Sequence, residues 1–79
     1  MQVTKFFCTV KTSLGEDLTF DLMQIEAYKG TDKDETGAPG TGNLVWIRLS
    51  SGDVYVIKGT MARMEKAMST AGVPFYPFT

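Results

Sequence analysis

The tract Lys29 to Asn43, K-G-T-D-K-D-E-T-G-A-P-G-T-G-N, holds four of the eight glycines and one of the three prolines, and no apolar side chain larger than proline. It offers no face to bury, so a core has to be assembled from the segments on either side of it. It is read as a long flexible loop joining two strands. At this length it exceeds what a hairpin needs, and loops of that kind are frequently functional.

Before the tract, Val3 to Lys11 alternates, with Thr4, Phe6, Cys8 and Val10 on one side and Val3, Lys5, Phe7, Thr9 and Lys11 on the other. Four β-branched residues and two phenylalanines make this a strand. T-S-L-G-E-D turns the chain, with Gly15 free to take positive φ, and a second strand runs from Asp17. Leu18, Phe20 and Leu22 share one parity and Met23, Ile25 and Ala27 the other, which predicts a bulge or a short helical turn at Leu22 and Met23.

After the tract, Leu44 to Ser50 places Val45, Ile47 and Leu49 opposite Leu44, Trp46 and Arg48, S-S-G-D makes a tight turn, and Asp53 to Lys58 returns. Gly59 ends that strand and Thr60 is an N-cap for a helix from Met61 to about Thr70. Met61, Met64, Met68 and Ala71 form its apolar stripe, Arg63, Glu65, Lys66 and Thr70 face solvent, and Gly72 supplies the C-cap. Pro74 and Pro77 keep V-P-F-Y-P-F-T out of the helix, so residues 73–79 form an extended aromatic tail. The expectation is an α+β fold in one domain, residues 1–79: a small antiparallel four-stranded sheet of two hairpins with one C-terminal helix on one face.

Counting faces leads further. One short helix covers one face of such a sheet, and the other should then be polar. With Phe6, Cys8, Val10, Val45, Ile47 and Leu49 toward the helix, the open side still carries Val3, Phe7, Leu44, Trp46 and alternate residues of the last strand. A patch of that kind calls for a cover, and self-association into a homo-oligomer is the expected one, with the tail residues Phe75, Tyr76 and Phe78 available to contribute.

Charge and residue usage narrow the chemistry. Eight Lys and Arg stand against nine Asp and Glu, without the basic excess of a duplex-DNA binder. The single cysteine rules out an internal disulfide, and with no signal-like or membrane-length apolar run the expected location is cytoplasmic. There is no histidine, so neither a Cys-His nucleophile nor the commonest general base is available. Cys8 falls on the core face as a small hydrophobe.

Gly37 to Gly42 satisfies the G-x-x-x-x-G part of a phosphate-binding loop, and A-P-G-T-G resembles the G-P-P-G-T-G-K-T of AAA-type ATPases. Asn43 and Leu44 occupy the positions of the essential Lys and Ser/Thr, and a strand follows where a helix N-terminus is needed. Nucleotide hydrolysis is set aside; a weaker anion-binding nest at Gly40, Thr41, Gly42 and Asn43 is retained. Asp32, Asp34, Thr36 and Gly37 fall near EF-hand positions, but Asn43 replaces the bidentate Glu, so no metal is assigned. Trp46 and Phe7 with Lys5, Lys11, Arg48 and Lys58 could share a basic-aromatic sheet face of the sort that stacks single-stranded nucleic acid.

From Val10 to Met68, the first hairpin, L-T-F-D-L-M-Q-I-E, V-W-I-R-L-S-S-G-D-V-Y-V-I-K-G and the short terminal helix resemble the order of elements in FlbD-type small flagellar proteins. D-L-M-Q-I-E-A followed by R-L-S-S-G-D-V-Y-V-I-K-G is similar to the first half of LytTR-type domains. The DNA-contact segment of the latter is missing after the helix, and the resemblance implies architecture and no functional residue. Small near-neutral chains of this style are also similar to phage accessory and inhibitor proteins.

The sequence therefore reads as a non-catalytic binding protein without cofactor, self-associating, and acting on a protein partner or by sequestering a small anionic ligand. A nucleic-acid-binding regulator is the alternative. The binding residues expected are Trp46, Phe7, Arg48, Phe75, Tyr76, Phe78, Gly40, Thr41, Gly42 and Asn43.

Overall fold

Among the described residues, six strands and one helix follow in the order β1 (Gln2–Thr4), β2 (Phe7–Lys11), β3 (Asp17–Asp21), a 3₁₀ turn (Leu22–Gln24), β4 (Ile25–Lys33), β5 (Pro39–Leu49), β6 (Val54–Lys58) and α1 (Met61–Ala71). The computed structural model describes residues 2–34 and 36–73. The fold is α+β, with antiparallel strands and one C-terminal helix, but its strands form two three-stranded sheets, β1-β2-β3 and β4-β5-β6. The aromatic tail from Pro74 on lies outside the described residues.

The first departure from expectation is at Lys5. Val3 to Lys11 is two strands, because Lys5 takes φ 55° and the chain reverses over Lys5 and Phe6, pairing Thr4 with Phe7 and Val3 with Cys8. A primed hairpin turn matches strand twist and normally recruits glycine or asparagine. A lysine in this conformation costs about 1 kcal/mol, and nothing in its identity advertises the turn. Reversal places Val3 on the inner side and moves Phe6 out of the face that alternation assigns to it, leaving it 42% exposed.

The β2–β3 turn is held by Thr12, whose N–H donates to the Glu16 carbonyl and whose hydroxyl accepts from the Glu16 N–H. Thr12 also bridges to Ile57, and the Ser13 N–H donates to the Val56 carbonyl, so the end of β2 is stitched to β6 and the two sheets are joined. The parity switch at Leu22 is a 3₁₀ turn capped by Asp21, which accepts from the Met23 N–H at 2.9 Å.

The second departure concerns Lys29 to Asn43. β4 continues to Lys33 and β5 begins at Pro39, leaving Asp34 to Ala38 as the connection. The register passes from Thr31↔Leu44 to Lys33↔Pro39, so Gly40 to Asn43 bulge out of β5 opposite Asp32 alone. The first third of the expected loop, Lys29 to Lys33, is a strand that pairs with β5. Its polar composition misleads because β4 is a sheet edge, where charged side chains and bulges are common.

Thr60 caps α1 by accepting from the Arg63 N–H, and Gly72 at φ 73° ends it with N–H bonds to the Met68 and Ser69 carbonyls. Val73 then donates to Met68 and is buried, completing a Schellman-type end. One core receives Cys8, Val10 and Phe20 from the first sheet, Tyr28, Val45, Ile47 and Ile57 from the second, and Met64, Ala67 and Met68 from the helix. Among the described residues no helix is long and apolar enough to cross a membrane.

Candidate binding surfaces

With both inner faces spent on the core, what remains is the outer face of each sheet, the tip of the β4–β5 hairpin and the solvent side of α1. On β4-β5-β6, cross-strand pairing aligns Lys29, Trp46 and Val56 in one row and Thr31, Leu44 and Lys58 in the next. Lys29 Nζ lies 5.3 Å from the Trp46 ring centroid. Such an exposed cation–π contact contributes about 0.5–1 kcal/mol and shields part of the indole, which is half-buried. Arg48 Nε meets Glu26 Oε1 at 3.2 Å, so one cation of this face is already paired.

The open apolar face anticipated from the sequence is smaller than expected. Leu44 and Val56 share a side with Trp46 yet are each 4% exposed. Leu44 lies against Gly40 of the bulge: a Cβ at Gly40 would collide with Leu44 Cδ1, so a side chain there would force Leu44 to move. Gly42 takes φ 76°, and the Asn43 carbonyl accepts from the Gly59 N–H at 2.9 Å. Gly40 thus lies against Leu44, and the bulge runs straight on into the paired part of β5.

Phe7 does not share a face with Trp46. It belongs to the outer side of the first sheet, beside Thr9 and Lys11 on β2 and opposite Asp21, Thr19 and Asp17 on β3, with Lys11 Nζ 2.7 Å from Asp17 Oδ1. The basic-aromatic platform expected from Phe7, Trp46, Lys5, Lys11, Arg48 and Lys58 is therefore divided between two sheets, and its first-sheet half has as many carboxylates as cations. What the fold gathers instead is an apolar end: Phe6 and Phe7 are 42% and 53% exposed, and the Leu22 N–H, donating to the Phe6 carbonyl, brings Met23, 56% exposed, to the same end. Met23 is missing from the expected set because its strand parity becomes meaningless once the 3₁₀ turn intervenes. Phe75, Tyr76 and Phe78 lie outside the described residues.

Asp34, the EF-hand-like carboxylate, is occupied by its own turn. Oδ1 accepts from the Thr36 hydroxyl at 2.6 Å and from the N–H groups of Thr36 and Ala38 at 2.9 and 3.1 Å. These bonds, the hydroxyl's foremost, hold its carboxyl below the usual carboxylate range. Cys8 is fully buried, and burial pushes its thiol up, away from nucleophilic use. Tyr28 is 1% exposed, its hydroxyl lacks a hydrogen-bond partner among the described residues, and burial, then the charge of Glu65, raise its pKa. Among the described residues no three Cys, Asp, Glu or His side chains converge.

A groove of about 530 Å³ runs between β1 and the helix, lined by Val3, Arg63, Lys66, Ala67 and Thr70. The sequence places Arg63, Lys66 and Thr70 on a solvated face; only the tertiary packing shows that β1 supplies the opposite wall.

No family model, curated protein or solved structure matches the chain.

Proposed function

We propose that the chain is a non-catalytic binding protein that self-associates through the Phe6, Phe7 and Met23 end, leaving its remaining surface for a partner. The observation that carries this reading is the exposure of two adjacent phenylalanines in so small a domain. With about 200 Å² for a phenylalanine, their exposures of 42% and 53% leave roughly 190 Å² between them, and Met23 adds about 100 Å². That is about the size of the largest apolar patch a typical monomer exposes, and such patches are often functional. Doubled across a two-fold axis it supplies the apolar half of an interface of about 1,200 Å², the lower end of the stable range. The absence of histidine and the inaccessibility of Cys8 support a role without catalysis.

Light scattering on the purified chain at micromolar concentration tests the proposal. The expected mass is that of two chains, falling to one in Phe6→Ser/Phe7→Ser, with the single chain still folded by circular dichroism and its melting temperature no longer dependent on protein concentration. A one-chain mass for the unsubstituted protein overturns it. The competing nucleic-acid reading draws on Lys29, Trp46, Arg48 and Lys58, which do share a face. Salt-sensitive binding of single-stranded DNA or RNA, lost in Trp46→Ala, would favour that reading instead.

A further inference from the structure

The third residue of the helix is a misfit in the helix's own terms. Thr60 is the N-cap and accepts from the Arg63 N–H, which puts Arg63 at N3, where a glutamate would complete a capping box and complement the helix dipole. No acidic residue stands in the first turn. An arginine there sets a positive charge against the positive end of the helix, a local choice that works against stability. Such conflicts are found at functional sites.

Arg63 has company. Arg63, Lys66, Ala67 and Thr70 follow at i, i+3, i+4 and i+7, one stripe along α1, and that stripe is the wall of the groove whose other side is Val3. Among the described residues neither Arg63 nor Lys66 has an ion-pair partner; the two salt bridges lie on the sheets, at Lys11 with Asp17 and Arg48 with Glu26. The groove thus combines two cations and a hydroxyl on one wall with the apolar side chain of Val3 on the other, in a volume within the range of small-molecule sites.

From this charge and shape we infer that the groove binds a small amphipathic anion, a carboxylate or phosphate head on a short apolar body. Arg63 and Lys66 take the head, Thr70 donates to it, and Val3 receives the apolar part. Guanidinium and ammonium groups are the side chains that hold such heads by charge-assisted hydrogen bonds. The groove itself, and not self-association, carries this inference.

Titration of the full chain with octyl phosphate, below its micelle concentration and followed by amide NMR, tests the inference. Inorganic phosphate, octanol and anionic lipid vesicles serve as the other arms. Octyl phosphate is expected to bind more tightly than phosphate or octanol, with shifts concentrated at Val3, Arg63, Lys66, Ala67 and Thr70. Arg63→Glu separates ligand binding from folding: it should weaken octyl phosphate by about tenfold or more, while the completed capping box keeps the melting temperature unchanged or raises it. Lys66→Gln should weaken binding without changing stability. Equal affinity for phosphate and octyl phosphate, shifts elsewhere, or undiminished binding in Arg63→Glu overturns the proposal. Binding to vesicles but not to the monomeric phosphate overturns it in favour of a membrane surface.

Discussion

Asp34 shows how one side chain can serve as an entire turn. Its carboxylate accepts from Thr36 and Ala38, its backbone N–H donates to the Ala38 carbonyl, and its own carbonyl accepts from Gly37 at φ 86°. Because the folded state holds this carboxyl below its ordinary value, its contribution is fully present above the unfolded pKa of about 3.9. It is lost as pH falls through the lower folded value. Urea midpoints of the protein and Asp34→Ala should therefore differ at neutral pH and converge in acid. A difference that stays constant below about pH 3 would show that the charged form is irrelevant. At this scale the sequence was legible where a residue type has one reason to be present, as at Thr60 and Gly72, whose capping roles are those expected. It was illegible at Lys5, since no property of lysine marks a left-handed backbone.

At the scale of elements, the glycine-rich segment changes character altogether. G-T-G-N looks like a phosphate loop when read alone, and in the fold it is extra length inserted into β5. Deleting Gly40 to Gly42 would bring Asn43 opposite Asp32 and restore an unbroken ladder between Thr31↔Leu44 and Lys33↔Pro39. The deletion should nevertheless destabilise by about 1–2 kcal/mol, because Leu44 loses its cover and returns to water. Equilibrium urea denaturation would measure this, and an unchanged or higher midpoint would mean that the bulge has no role in the core. The segment's glycine content is visible in the sequence; the side chain it covers is not. The same limitation hid the groove, whose helix stripe was legible and whose β1 wall depends on the turn at Lys5.

At the scale of the molecule, two sheets too small to stand alone share one core beneath one helix. A domain of this length has a stability of about 4–12 kcal/mol. Met64, fully buried where the helix meets both sheets' inner residues, is a contact the domain can hardly lose. Met64→Ala should cost about 2–5 kcal/mol, read as a lower urea midpoint with an unchanged slope, and a loss under about 1 kcal/mol would mean that the helix is peripheral to the cooperative unit.

The α+β class, the paired hairpins after Phe7, the helix with both its caps and the burial of Cys8 were set by local patterning, because period, cap chemistry and turn residues act over a few neighbours and can be read in order. The division into two sheets, the concealment of Leu44 and Val56, and the meeting of Val3 with Arg63 and Lys66 were decided only by the tertiary structure. Each depends on which surfaces come together after chain reversals at Lys5 and in the bulge, and burial is a property of the partner surface that a sequence position does not carry.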